Sequence, residues 1–164
     1  MSLRRGLPVD LAAIGQLDPE AIARVQGEIT PQPVTSDDLH DLLCSLVLVS
    51  PRPEWDALWC ELVADNRARV VDDRWCAAEI VADAERIVAG DSDAAIALVR
   101  GHLELAGITT VDAIAGATGL APTTIAYALA ALQNDGFAMQ GQFTPGTDAT
   151  EWVARRLLAR MHSY

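Results

Sequence analysis

Three histidines, three cysteines and 23 carboxylates are the side chains of this 164-residue chain that could carry acid–base, nucleophilic or metal-binding chemistry. A protein zinc site draws on thiolate, imidazole or carboxylate donors, usually with two of them close together on one element. His40, His102 and His162 lie far apart, and only His40 has an adjacent acid, Asp41. Cys44, Cys60 and Cys76 are evenly dispersed and form no CxxC pair. An odd, dispersed set among apolar neighbours predicts reduced, buried thiols in a cytoplasmic protein. No metal site and no disulfide are expected. The carboxylates show no HxE or paired arrangement, and Asp72-Asp73 reads as turn chemistry rather than a catalytic dyad. Neither a GxSxG elbow nor a GxGxxG loop occurs. The chain has no lysine at all, so it cannot form a P-loop, which needs that residue on the terminal phosphates. The segment itself is therefore expected to be non-catalytic, with no cofactor of its own.

Nucleic-acid contact is the other chemistry to weigh. A helix from Pro122 to about Asn134, entered after the Gly119 turn, occupies the place of a recognition helix. Thr123, Thr124, Tyr127, Ala130 and Asn134 make its outward side, and it carries no Arg or Lys to grip guanine. Asp135 follows it and repels phosphate. The best basic patch is Arg155, Arg156 and Arg160, with His162 nearby. Three readings stand for these arginines: a grip on a few phosphates, a solvated helix face, or pairing with acids of a neighbouring domain. Trp55, Trp59, Trp75 and Trp152 could stack on unpaired bases. However, Trp55 and Trp59 share an apolar stripe, which favours core packing. The formal charge of −11, from 23 acidic and 12 basic residues, repels nucleic acid at long range. DNA contact is thus expected to be weak and local.

The elements that must position these residues are mostly helical. An apolar fraction of 51% supports a real core, while 5% aromatics favours close-packed helices over a large sheet. Residues 1–35 read as an arm and linker. Pro8 and Gly15 break its start, Asp18 caps a short helix with Ile22 and Val25 on one edge, and Thr30-Pro31-Gln32-Pro33 ends it. Residues 36–90 read as a reduced winged-helix-like unit. Ser36 caps a helix carrying Leu39, Leu42, Leu43, Leu46 and Val47, stopped by Pro51 and Pro53. A second helix runs from Glu54 to about Asn66, with Trp55, Leu58, Trp59, Leu62 and Val63 on one stripe. A hairpin turns at Asp72-Asp73, and a helix from Glu79 to about Ala89 stops at Gly90.

Residues 91–148 read as a fuller winged-helix domain. Ser92 or Asp93 caps a helix to Ala106 with Ile96, Val99 and Leu103 inward. Thr110 caps a short helix, and Ile125, Leu129 and Leu132 form the inner face of the recognition helix. Residues 137–143 then form a wing hairpin turning at Gly141. Residues 149–164 read as a final helix from Glu151 to Tyr164, with Trp152, Leu157, Leu158 and Met161 facing one way. Met1-Ser2-Leu3 reads as a cloning leader, and the abrupt stop at Tyr164 as the boundary of a fragment. The fold class expected is mostly α (α+β): tandem winged-helix-like units with small hairpin wings, joined by helices. No apolar run approaches the roughly 18 residues of a membrane span.

The stretch Gly136-Phe137-Ala138-Met139-Gln140-Gly141-Gln142-Phe143-Thr144-Pro145-Gly146, followed by Glu151-Trp152-Val153-Ala154-Arg155-Arg156-Leu157-Leu158-Ala159-Arg160-Met161-His162, resembles the large helicase-related (Lhr) family. Members carry a similar wing, a Phe-Thr-Pro-Gly turn and a Glu-Trp-Cys-x-Arg-Arg-Leu-Leu-Ala-Arg-Ile-His block. Asp38-Leu39-His40-Asp41-Leu42-Leu43, and Leu11-Ala12-Ala13-Ile14-Gly15 leading to Ala21-Ile22-Ala23-Arg24-Val25, also look like that family. Val153 stands where the family often has Cys, and Gln140 and Gln142 where its wing often carries Arg.

The resemblance implies a parent ATP-dependent DNA helicase linked to DNA repair, with two motor domains that use ATP and Mg. This segment would lie just after that core. Its implied partners are the motor and C-terminal domains of the same parent chain, and DNA through the local basic patch, with no membrane. The expected role is accessory or scaffolding. One alternative is a free-standing winged-helix transcriptional regulator, which predicts a basic recognition helix and a symmetric dimer. Another is part of a DNA glycosylase-like unit, which predicts base excision by this segment alone.

Overall fold

A computed structural model describes residues 17–164. The breaks expected at Pro8 and Gly15, the Leu11–Gly15 stretch and the leader lie outside these residues. Helix α1 (Pro19–Ile29) starts as its sequence dictates, with the Asp18 carboxylate accepting the Glu20 N–H at 3.0 Å. Helix α2 (Ser36–Leu46) is capped one residue earlier than expected, by Thr35 rather than Ser36. The Thr35 hydroxyl accepts the Asp38 N–H, and the Asp38 carboxylate accepts the Thr35 and Val34 N–H groups. This reciprocal box satisfies donors that a lone Ser36 cap would leave open.

Helix α2 stops at Leu46, well before Pro51. Its C-terminal cap is Val47 at φ 68°, an unusual conformation for a β-branched residue. A 3₁₀ turn (Pro53–Trp55) leads into α3 (Asp56–Ala64), shorter at both ends than the expected helix. Strands β1 (Ala68–Val71) and β2 (Arg74–Ala77) pair antiparallel about Asp72-Asp73, whose φ values of 52° and 61° make the mirror-image turn that two-residue hairpins favour. A second 3₁₀ turn (Ala78–Ile80) precedes α4 (Val81–Val88).

The second unit begins with α5 (Ala95–Ala106). Neither Ser92 nor Asp93 caps it. Asp91 accepts the Ala94 N–H at 3.0 Å, and the Asp93 carboxylate is taken by Tyr127. Thr110 caps α6 (Val111–Thr118) through the Ala113 N–H, Gly119 turns at φ 77°, and Pro122 opens α7 (Pro122–Asn134), all as the sequence predicts.

The wing differs from expectation. Strand β3 (Ala138–Gly141) pairs not with Gln142-Phe143 but with β4 (Glu151–Ala154), in the register Ala138↔Ala154 to Gly141↔Glu151. The helix expected from Glu151 is therefore a strand for its first four residues, and α8 (Arg155–His162) starts only after it. The hairpin crosses the division drawn between residues 148 and 149.

The two units repeat one device. After α2, Val49 exchanges both backbone hydrogen bonds with Trp75 of β2, at 3.0 and 2.7 Å. After α5, Thr109 does the same with Trp152 of β4, at 2.9 and 2.8 Å. Each hairpin thus gains a one-residue third strand from the segment that follows the unit's first helix. The helix caps correspond too: Val47 at φ 68° and Gly107 at φ 69°.

The units are not independent beads. One apolar core runs from Val47, Leu48, Cys76, Ala84 and Ile87 into Leu98, Val99, Leu103, Ile125, Leu129 and Trp152. A second lies within the first unit, around Leu39, Leu43, Trp55, Leu62 and Trp75. The third joins α1 to α8 and the wing through Val25, Phe143, Val153, Leu157 and Met161. Helices α2 and α5 cross at Gly101, where an added Cβ would meet the Ser45 carbonyl.

His102 sits one residue on. Its Nε2 lies 3.1 Å from the carbonyl oxygens of both Leu46 and Leu48, so the neutral ring donates there and satisfies the end of α2. Burial pushes its pKa below the ordinary value, while those two carbonyls oppose the shift. The unfolded chain takes up this proton near pH ~6.5, whereas the folded chain takes it up only at lower pH. Between those points the unfolded state binds more protons. This contribution to stability is therefore complete above pH ~6.5 and declines as pH falls below it. Urea midpoints measured from pH ~7 down to ~5.5 should decrease, and His102→Gln should flatten the decrease.

Candidate functional site

The structure separates the two groups of residues expected to meet nucleic acid. On α7, Ile125, Ala128, Leu129 and Leu132 are buried, so the opposite side faces solvent as the 3.6-residue period requires. Thr123, Tyr127, Ala130 and Asn134 are exposed and Thr124 is half-buried. Tyr127 is not free to reach a base edge. Its hydroxyl donates to Asp93 at 2.7 Å, and that bond raises the phenol's pKa. The face is edged by Asp93 and Asp135 and carries no cation. Arg74 of β2 points inward under Gly119, in the turn between α6 and α7. It donates to the Asp72 carbonyl at 3.2 Å, and its Nε is buried without a partner. The turn needs glycine for its φ of 77°, and an added Cβ would also displace that guanidinium, which it would meet at 2.5 Å. Ser50 adds a bond from its hydroxyl to the Ala117 carbonyl at 2.7 Å. The first unit thereby holds the turn of the second.

The arginines of α8 are divided. Leu157, Leu158 and Met161 turn inward. Arg160 pairs with Glu28 of α1, whose carboxylate also accepts the Tyr164 hydroxyl at 3.2 Å, while Arg24 lies over the Tyr164 ring. Arg156 pairs with Glu104 of α5 at 3.4 Å. Arg155 is exposed and makes no ion pair among the described residues. Its backbone N–H donates to the Phe137 carbonyl at 2.8 Å, and the Arg100 guanidinium lies 4.6 Å above the Phe137 ring. Arg155 and Arg100, neither with a carboxylate partner among the described residues, are thus both joined to Phe137, the first through its backbone and the second through its guanidinium. Sequence reasoning missed Arg100, because only folding brings α5 beside Phe137. The tryptophans offer little to bases. Trp55, Trp75 and Trp152 are buried, and half-buried Trp59 is stacked on Trp75 with centroids 4.4 Å apart.

The wing loop has its own anchor. Glu151 is buried, and its Oε1 accepts the N–H of Phe143 at 2.7 Å and of Thr144 at 2.8 Å. Its Oε2 accepts the Thr144 hydroxyl at 2.8 Å. The Phe143-Thr144-Pro145-Gly146 turn and the Glu151-Trp152 pair, quoted above as separate motif pieces, are thus two sides of one hydrogen-bonded cluster.

The thiols are free but not all buried as expected. Cys76 is buried, Cys44 half-buried and Cys60 exposed. Desolvation pushes the Cys76 thiol up to about 11, leaving it inert as a nucleophile. His40 and Cys44, four apart on α2, converge with Glu79 from the turn after β2. His40 Nε2 is 2.9 Å from Glu79 Oε1 and 3.9 Å from Cys44 Sγ. The i, i+4 spacing was visible in the sequence, but Glu79 could be placed beside it only by the fold.

A groove of about 410 Å³ lies between the Pro31–Pro33 linker and the α2/α5 crossing, lined by Asp38, Asp41, Ser45 and Glu104 among others. It holds no nucleophile paired with a base. No helix among the described residues is long and apolar enough to cross a membrane. No family model, curated protein or solved structure matches the chain.

Proposed function

We propose that this chain is a non-catalytic scaffolding module, built from two winged-helix units, of a cytoplasmic ATP-dependent DNA helicase of the large helicase-related type that acts in DNA repair. The assignment to that parent rests on the motif residues quoted above. In this reading the parent's motor domains bind ATP and Mg, and the module holds those domains against the C-terminal region. One observation carries the scaffolding role: Arg156 and Arg160, two of the three α8 cations expected to grip phosphate, are engaged with Glu104 and Glu28. The outward face of α7 supports the same reading, since it carries no Arg or Lys to grip guanine and its one tyrosine is engaged with Asp93. The shared core between the units suits a part that transmits position rather than one that opens and closes.

What DNA contact there is falls to Arg155 and Arg100 at the wing base, a narrower patch than Arg155, Arg156 and Arg160 together. The free-standing regulator reading lacks its basic helix, and no observation favours it. The module should co-elute with the two-domain motor of its parent helicase supplied in trans, and should leave that motor's nucleotide site complete without it. Failure to associate, with the chain running instead as a symmetric dimer that retains duplex DNA, would overturn the proposal.

A further inference from the structure

We propose that His40, Cys44 and Glu79 form a binding site for a thiophilic divalent metal of the zinc class, with water completing the coordination. The donor atoms of the three side chains all lie within 4.8 Å of one another, a spread that small side-chain rotations can close around one ion. Their chemistry is selective. A thiolate and an imidazole favour zinc or cobalt over magnesium or calcium, which take oxygen donors. The geometry is supported from two elements. Helix α2 presents His40 and Cys44 on one face by their four-residue spacing, and the 3₁₀ turn leaving β2 presents Glu79 opposite.

The His40 side chain is 13% exposed while that of Glu79 is 58% exposed, so the cluster is walled on one side and open to solvent on the other. That is the situation a metal with one exchangeable ligand requires. On binding, Cys44 Sγ releases its proton to solvent. His40 Nε2, which donates its N–H to Glu79 in the free protein, loses that proton to solvent, Nδ1 takes one up from solvent, and the Nε2 lone pair then binds the metal. The ion would tie the first helix of the first unit to the exit of its hairpin.

Cobalt(II) titration of the reduced chain tests this, because thiolate ligation gives a charge-transfer band and tetrahedral geometry gives intense visible bands. The wild type should show both, and zinc should displace the cobalt. Cys44→Ser should lose the charge-transfer band, Glu79→Gln should weaken cobalt binding by roughly tenfold or more, and Cys60→Ser should change nothing. Absence of the band in the wild type, its persistence in Cys44→Ser, or its loss in Cys60→Ser overturns the proposal. Alkylation of the wild type needs no variant to fold. Zinc should slow modification of Cys44 and leave Cys60 unaffected, and equal rates with and without zinc at Cys44 would contradict the site.

Discussion

Glu151→Ala is expected to destabilise the chain by about 2–4 kcal/mol, because it strips three hydrogen bonds from the turn and leaves the buried Phe143 N–H without an acceptor. Phe143 is buried and Thr144 exposed, and the N–H groups of both donate to one oxygen of the buried Glu151 carboxylate. A buried N–H left without an acceptor costs about 1–3 kcal/mol. Phe143 itself is only 3% exposed and packs in the core that joins α1 to α8, so a loosened turn also withdraws an apolar anchor. In a chain of this size the loss should lower Tm by roughly 10 °C. Glu151→Gln keeps one oxygen for the two N–H groups and should cost about 1–2 kcal/mol. Chemical denaturation of the three proteins should therefore give the order wild type, Gln, Ala. An alanine variant within about 1 kcal/mol of wild type would mean that the turn is held by something else.

Two helical glycines should respond to the same substitution with opposite signs. Glycine inside a helix normally costs about 0.5–1 kcal/mol relative to alanine. On α1, a Cβ at Gly27 meets nothing within 4 Å, so Gly27→Ala should stabilise by roughly that amount. On α5, a Cβ at Gly101 would run into the Ser45 carbonyl, which is backbone and cannot swing aside. Gly101→Val should destabilise by about 3 kcal/mol or more, and Gly101→Ala by less but in the same direction. The effect is large because α2 and α5 belong to different units. Parting them disturbs both the shared core and the His102 contact with the end of α2. If Gly101→Ala raised the denaturation midpoint, the close crossing of the two units would be wrong.

The legible parts of the fold are those whose physics is local. Thr110, Gly119 and Pro122 mark their helix ends by side-chain capping, left-handed φ and a fixed φ respectively, and each stands where the sequence places it. Asp72-Asp73 declares its hairpin in the same way. Strand β4 was not legible because Glu151, Trp152, Val153 and Ala154 are all buried. A strand covered on both faces has no period-two alternation, and this one runs directly into a strongly helical Arg-Leu block. The single-residue strands at Val49 and Thr109 carry no pattern at all.

At the candidate site, the outward residues of α7 were readable from helical period. The partners that reinterpret them, Asp93 for Tyr127, Glu104 for Arg156 and Glu28 for Arg160, are set by tertiary packing. The Arg160–Glu28 pair spans 132 residues of sequence, beyond any spacing rule.

Fluorescence anisotropy with single-stranded, duplex and forked DNA, at low and moderate salt, addresses the scaffolding role. Wild type should bind all three with affinity no better than the ~10⁻⁶ to 10⁻⁴ M of non-specific contact, with a shallow salt dependence of about one or two phosphates. Arg155→Ala should remove most of that binding, whereas Arg160→Ala should scarcely alter it. Nanomolar, structure-selective binding that survives Arg155→Ala would contradict a module whose cations are engaged in holding its own helices together.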